Sequence, residues 1–156
     1  MRRAPTRAYV APMPDQQIET APDRETVERL STALNRCFET LDAGDSVFAD
    51  DVFCDLLPPF WRFQLQGRDA LVAQLRAINH GPVTSRILRV VPTATGFVIE
   101  YEESEHGEKL EVARHLALCE VRDGLITEVL SYCNGGWDDE LRARHAAEAP
   151  MLREDA

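Results

Sequence analysis

Apolar residues recur at steps of three and four between positions 27 and 41, and this spacing places them on one face of an α-helix. The segment TAPD at residues 20–23 contains residue types that start helices, so the first helix should begin there and end at Gly44. The same spacing in residues 71–78 predicts a second helix. A third, short helix should follow Asp138, which is a favourable N-cap residue.

Strand-like segments occupy the chain between these helices. Residues 61–66 alternate apolar and polar side chains, and residues 52–57 form an apolar segment that two prolines end. Four further strands are predicted over residues 85–91, 97–104, 109–121 and 125–132. The short turns HG and DG join the last three of them, which indicates consecutive hairpins in an antiparallel meander.

This order of elements predicts an α+β fold, with helices packed on one side of an antiparallel sheet. Long strands twist, so the sheet should be curved, with a concave face under the first helices. We expect one domain over residues 20–149. Residues 1–19 contain three prolines without periodicity and should form a flexible arm, and residues 150–156 a short tail.

Composition excludes several functional classes. The net charge of −10 opposes binding to nucleic acid or to an anionic membrane, since both attract Lys and Arg. The chain shows no apolar run long enough to span a membrane and no secretory signal, so we expect a cytoplasmic location. The four cysteines are spaced unlike metal or redox motifs and should be buried free thiols. No phosphate loop, serine-nucleophile elbow or zinc motif is present, so we expect neither a cofactor nor a metal.

Four motifs in order resemble the nuclear-transport-factor-2-like (NTF2-like) superfamily, in particular its SnoaL-like and ketosteroid-isomerase-like branch. They are LDAGD at residues 41–45, FADDV at 48–52, GRDAL at 67–71 and DGLI at 123–126. The resemblance implies a cone-shaped, cystatin-like roll, commonly a homodimer, with a deep apolar pocket. Members of the superfamily include isomerases, polyketide cyclases, dehydratases, epoxide hydrolases and non-catalytic binders.

Asp55 is the first catalytic candidate. The resemblance implies a general-base carboxylate at or next to this position. The flanking sequence is apolar, so burial would raise the pKa of Asp55 and make it a base suited to removing a proton next to a carbonyl. The alternative is a carboxylate that points outward at the end of a strand.

His115 is the second catalytic candidate, near the position where the resemblance places an oxyanion donor. Its strand neighbour Arg114 must face the opposite side of the sheet, so one of the two faces the pocket and the other faces away. The resemblance also aligns Cys37 with an oxyanion-stabilising tyrosine, although a thiol is a weak hydrogen-bond donor.

Four further residues are candidate ligand contacts. Tyr132 and Asn134 share one face of the last strand and could bind a ligand carbonyl. In SnoaL-like cyclases an aspartate occupies the position of Asn134. Trp61 and Phe63 form either a platform for the ligand or ordinary core and dimer interface. Five glutamates lie between residues 100 and 108. We interpret them as solvent-exposed charges on a hairpin at the edge of the sheet.

The leading hypothesis is a cofactor-independent enzyme that isomerises, cyclises or dehydrates a small apolar molecule of polyketide, terpenoid or steroid type. Asp55 would act as base or acid and His115 as its partner. The alternative is a non-catalytic protein on the same fold that binds a small molecule or serves as a dimeric scaffold. A pH limb in activity between about pH 4 and 7 would favour the enzyme.

Overall fold

The computed structural model describes residues 21–44, 46–78, 83–107 and 110–149. The predicted arm at residues 1–19 and the tail at 150–156 lie outside them. The helices are α1 (Arg24–Thr40), α2 (Arg68–Ile78) and α3 (Asp139–Glu148). The strands are β1 (Phe48–Leu57), β2 (Phe63–Gln66), β3 (Val83–Pro92), β4 (Gly96–His106), β5 (Leu110–Arg122) and β6 (Leu125–Cys133).

Helix α1 begins at the predicted cap. The Asp23 side chain accepts a hydrogen bond of 2.7 Å from the backbone N–H of Thr26, which satisfies a free donor of the first turn. The predicted end at Gly44 is wrong by one turn. Leu41 adopts a left-handed conformation and donates its N–H to the carbonyl of Cys37, so the helix ends at Thr40.

The six strands form one curved, open sheet in the order β2-β1-β6-β5-β4-β3. The α+β class and the meander of β3 to β6 are confirmed, because each of these strands pairs antiparallel with the next. An entirely antiparallel sheet is wrong, since β1 and β6 pair in parallel. Strand β2 runs antiparallel to β1, and α2 then connects it to β3 at the opposite edge of the sheet. The meander from β3 to β6 leads back toward β1, so β6 lies beside β1 and runs in the same direction.

The inner face of the sheet packs against α1 and α2 and forms the core. Phe97, Ile99 and Tyr101 on β4 alternate inward, and Ala117 and Cys119 do the same on β5. The outer face carries charged and half-exposed side chains. This division into two faces decides which candidate residues can reach the space beneath the helices.

The four cysteines are free, as predicted. Cys37, Cys54 and Cys119 are fully buried, whereas Cys133 is half-buried at the end of β6. Within the described residues, no helix is long and apolar enough to cross a membrane, and no group of three or more His, Cys, Asp or Glu side chains is arranged to hold a metal ion.

Candidate functional site

A cavity of about 140 Å³ lies between the inner face of the sheet and helices α1 and α2, and is partly open to solvent. Its lining is mainly apolar and comes from both helices and from β1. This part of the lining includes Leu34, Phe38, Phe48, Leu56, Leu71 and Leu75. Such a volume accommodates a molecule of about one ring, since an engineered apolar cavity of similar size binds benzene.

Five polar side chains enter this cavity from the three neighbouring strands β4, β5 and β6. Tyr101, His115 and Cys133 lie in one row across the sheet, because Tyr101 pairs with His115 and His115 pairs with Cys133. Glu103 and Ser131 are the other two members. All five have the parity of the inner face, so the register of the meander brings them together.

His115 and Glu103 form an ion pair inside the cavity, with 3.1 Å between His115 Nε2 and Glu103 Oε2. The same nitrogen lies 3.7 Å from Cys133 Sγ. Burial alone would lower the pKa of His115, but hydrogen bonds to Cys133 and Glu103 and the charge of Glu103 outweigh it and raise the pKa to about 9. At neutral pH the imidazole is therefore a cation beside a carboxylate.

Aromatic stacking fixes the orientation of His115. Its ring lies on Tyr101 at a centroid distance of 4.7 Å and 7° between the planes. Tyr101 stacks in turn on Phe38 of α1, at 4.8 Å and 12°. The Tyr101 hydroxyl bonds to Ser131, and burial raises the pKa of Tyr101 well above its usual value. Tyr101 thus remains a neutral hydrogen-bond donor at any physiological pH.

Asp55 lies on the outer face of β1 and does not line the cavity. It accepts hydrogen bonds from Arg62, at 2.7 Å from Nε to Oδ1, and from Gln64 at 3.3 Å. The hydrogen bond from Arg62 lowers the pKa of Asp55, contrary to the predicted rise. The geometry contradicts the prediction of Asp55 as the pocket base and agrees with the outward alternative.

The choice between Arg114 and His115 is settled by the register of β5, which turns His115 inward. Arg114 lies on the outer face, where its Nε is 2.9 Å from Glu100 Oε1. Asn134 is also outside the cavity. Its side-chain oxygen accepts the Arg114 N–H at 2.7 Å, and its own N–H donates to the Arg114 carbonyl at 3.1 Å. Asn134 therefore extends the β5–β6 pairing instead of contacting a ligand.

The remaining candidates divide in the same way. Phe63 lines the cavity, whereas Trp61 lies in the connection before β2 and is 67% exposed. Tyr132 is 51% exposed on the outer face. Cys37 is fully buried in the core behind the lining, and burial raises its pKa to about 11. Of the eight candidate residues, His115 and Phe63 reach the cavity.

Sequence reasoning missed Glu103 and Cys133. Glu103 was grouped with the solvated glutamates, and Cys133 with the buried structural thiols. A signal for Glu103 exists, because it continues the inward alternation of Phe97, Ile99 and Tyr101 along β4. The density of acidic residues around the hairpin concealed this parity.

A second depression, of about 360 Å³, lies beside the end of α1 and along α2. It is more open, and charged side chains such as Asp42, Arg68 and Arg76 line it. An apolar ligand would bury little surface there, and we therefore place the candidate site in the cavity under the helices.

No family model matches the chain, and no curated protein matches it. Several solved structures match it in fold. An inferred SnoaL-like polyketide cyclase from Jannaschia sp. CCS1 has a TM-score of 0.61 at 11% identity, covering 85% of this chain and 99% of that one. An LEH-like epoxide hydrolase from M. tuberculosis has a TM-score of 0.58 at 18% identity, covering 83% and 100%.

An NTF2-like protein of unknown function from Mesorhizobium loti has a TM-score of 0.58 at 21% identity, covering 76% of this chain and 100% of that one. Identities at this level show the fold and leave the activity open. The curved six-stranded sheet, the helices on its inner face and these likenesses together show that the chain has the NTF2-like fold that its sequence motifs predict.

Proposed function

We propose that the protein is a cofactor-independent enzyme that moves a proton on a small apolar carbonyl compound bound in the cavity. The observation that carries the proposal is the Glu103–His115 ion pair, with 3.1 Å between His115 Nε2 and Glu103 Oε2, in a mainly apolar lining. Titratable groups held in such surroundings are typical of sites for acid–base chemistry.

The chemistry divides between the two members of the pair. The Glu103 carboxylate accepts a proton from the carbon next to the carbonyl, while the His115 imidazolium donates a hydrogen bond to the oxygen, where negative charge develops. Return of the proton to a different carbon gives an isomerised product. Tyr101 keeps the imidazolium in place through the stack.

The cavity also narrows the substrate class. Its volume of about 140 Å³ suits a single ring or a short branched chain, and a four-ring steroid would need the helices to move apart. Among the predicted classes, a monoterpenoid or small polyketide fragment fits best.

The test is isomerisation of 3-cyclohexen-1-one to its conjugated isomer, followed by ultraviolet absorbance. Glu103→Gln should lower the rate at least about a hundredfold, which is the usual scale for losing a general base. Asp55→Asn is the matched control, because its carboxylate lies on the other face of the sheet, and its rate should stay within about twofold of the wild type. Equal rates for wild-type protein and Glu103→Gln would refute the assignment.

A second candidate function is ligand binding without turnover. It is favoured by the way in which the polar groups of the cavity satisfy one another, Glu103 with His115 and Tyr101 with Ser131. Binding of cyclohexanone by calorimetry without any isomerisation of the unsaturated ketone would support it, whereas turnover that depends on Glu103 excludes it.

We further propose a homodimer formed through the outer face of the sheet. Support comes from Leu116 and Tyr132, which pair across β5 and β6 and are 48% and 51% exposed. Charges of both signs lie beside them, since Glu100 pairs with Leu116 and Arg62 lies near Tyr132. Light scattering should give twice the monomer mass, and Leu116→Asp should give monomers. A monomeric wild type would rule the dimer out.

The four free thiols support a cytoplasmic location as part of this proposal.

A further inference from the structure

Cys133 differs from the other three cysteines in its surroundings. It ends β6, lines the cavity and is half-buried, with its sulfur 3.7 Å from His115 Nε2. The backbone N–H of Gly135 donates to the same sulfur at 3.2 Å. A cationic imidazole and an amide donor are the partners that stabilise a thiolate, which is the nucleophilic form of cysteine.

Gly135 is required for this arrangement. Its φ of 86° is a conformation that side chains disfavour, and it turns the N–H back toward Cys133. A Cβ at this position would lie 2.9 Å from Pro59 Cγ. The loop after β6 thus places the Gly135 N–H against the sulfur, and Pro59 leaves no room for a side chain at position 135.

The charges facing Cys133 come from two strands. His115 on β5 contributes the imidazole, and Glu103 on β4 contributes a carboxylate that competes for the same Nε2 proton. The imidazole and the Gly135 N–H both contact the sulfur, whereas the Glu103 carboxylate contacts the imidazole. Tyr101 on β4 also faces this space, and it remains neutral.

The other thiols provide an internal comparison. Cys37 and Cys54 are fully buried, and burial raises their pKa values to about 11 and about 12. Burial also raises the pKa of Cys119. These three sulfurs are protonated and inaccessible, so any reactivity of the folded protein toward an electrophile in the cavity belongs to Cys133.

We propose that Cys133 is a nucleophile that forms a covalent adduct with small apolar α,β-unsaturated carbonyl compounds in the cavity. The Cys133 sulfur bonds to the β-carbon, the electron pair of the C=C bond moves toward the carbonyl oxygen, and an enolate forms. The His115 imidazolium then passes a proton to the α-carbon and regains one from solvent, into which the Cys133 thiol has released its own proton. The product is a saturated carbonyl joined through a thioether, with no oxidant or further reactant. This reaction goes beyond the proposed proton transfer and does not depend on it.

The experiment treats the full chain with 2-cyclohexen-1-one and follows intact mass, with peptide mapping of the modified site. We expect one adduct, at Cys133, and none with cyclohexanone, which lacks the C=C bond. Modification of Cys37, Cys54 or Cys119 as fast as Cys133 would overturn the proposal, and so would a Cys133 rate no greater than that of free glutathione. This comparison needs no variant, so a folding defect cannot obscure it.

Two variants sharpen the result. Cys133→Ser should abolish the adduct. His115→Phe keeps an aromatic ring on Tyr101 but removes the imidazole, and labelling should slow at least about tenfold. An unchanged labelling rate in a folded His115→Phe protein would contradict the role of the imidazole. The conjugated product of the isomerisation assay is itself 2-cyclohexen-1-one, so isomerisation is measured as an initial rate, before the adduct accumulates. Failure of either reaction then leaves the other measurable.

Discussion

Strands β4 and β5 carry two acid–base pairs on opposite faces of the same sheet, and the pairs differ in what they can do. Outside, Glu100 bonds to Arg89 and Arg114, with distances of 2.8 and 2.9 Å. Inside, Glu103 bonds to His115 at 3.1 Å. Arginine stays charged at every physiological pH, so the outer pair holds the strands together. Histidine gains and loses a proton, so the inner pair can take part in chemistry.

The largest expected difference is in stability. His115→Phe leaves the Glu103 carboxylate without its partner in an apolar cavity and should lower the free energy of unfolding by about 3 kcal/mol. Arg114→Met on the outer face should cost about 1 kcal/mol or less, because Glu100 keeps its second partner Arg89 at 2.8 Å. Urea denaturation measures both. Equal losses would show that Glu103 depends on His115 no more than Glu100 depends on Arg114.

A double variant isolates the cause. Glu103→Gln combined with His115→Phe removes the uncompensated charge, so it should recover part of the stability lost by His115→Phe alone. Simple addition of the two losses would contradict the assignment of the effect to a buried ion pair.

The free energy of unfolding should also depend on pH, in opposite directions for the inner and the outer face. These effects should be smaller than those of the substitutions above. The folded pKa of His115 is raised to about 9, so its contribution is complete below about pH 6.5 and declines as the pH rises toward 9. The pKa of Asp55 is lowered, so the contribution of the outer Asp55–Arg62 pair is present at neutral pH and declines in acid.

Denaturation at several pH values checks both limbs. His115→Phe should flatten the decline between about pH 6.5 and 8.5 and leave the acid limb, whereas Asp55→Asn should do the reverse. A decline in that range that persists in His115→Phe would show that another group causes it. Above about pH 8.5 the raised pKa values of Cys37 and Cys54 lower the stability of every variant.

Much of the fold was predictable from local signals. The periodicity of α1, the Asp23 cap and the turns between β4, β5 and β6 are all short-range features. The parallel pairing of β1 with β6 was not, because it joins segments 75 to 78 residues apart and leaves no local pattern. The end of α1 was also missed, since Leu41 takes a left-handed conformation that favours glycine.

The site was harder to predict than the fold. Asp55 lies in β1, a strand inside the sheet, where apolar residues such as Phe53 and Cys54 occupy both faces and hide the alternation. Glu103 was hidden by its acidic neighbours. His115 faces the cavity, which is one of the two alternatives that the sequence left open. Its partners come from two other strands, and only the register of the meander brings them together.

The smallest expected difference concerns two tyrosines. Tyr101→Phe keeps the aromatic stack but loses the hydrogen bond to Ser131, which should cost about 1 kcal/mol. Tyr132→Phe on the half-exposed outer face should change stability by less than about 0.5 kcal/mol. Thermal denaturation of the pair, with wild type alongside, gives the comparison. A larger loss for Tyr132→Phe would indicate an outer contact that the described residues do not contain.

The central claim, that a small apolar ligand enters beside the Glu103–His115 pair, is tested most directly by NMR of the histidine rings during titration with cyclohexanone. The His115 ring should be an imidazolium up to about pH 9, and its signals should shift as the ligand binds. His106, at the end of β4, and His145, on α3, should stay unchanged. His115 signals that do not move, or that titrate near the ordinary pKa of 6.5, would contradict the account.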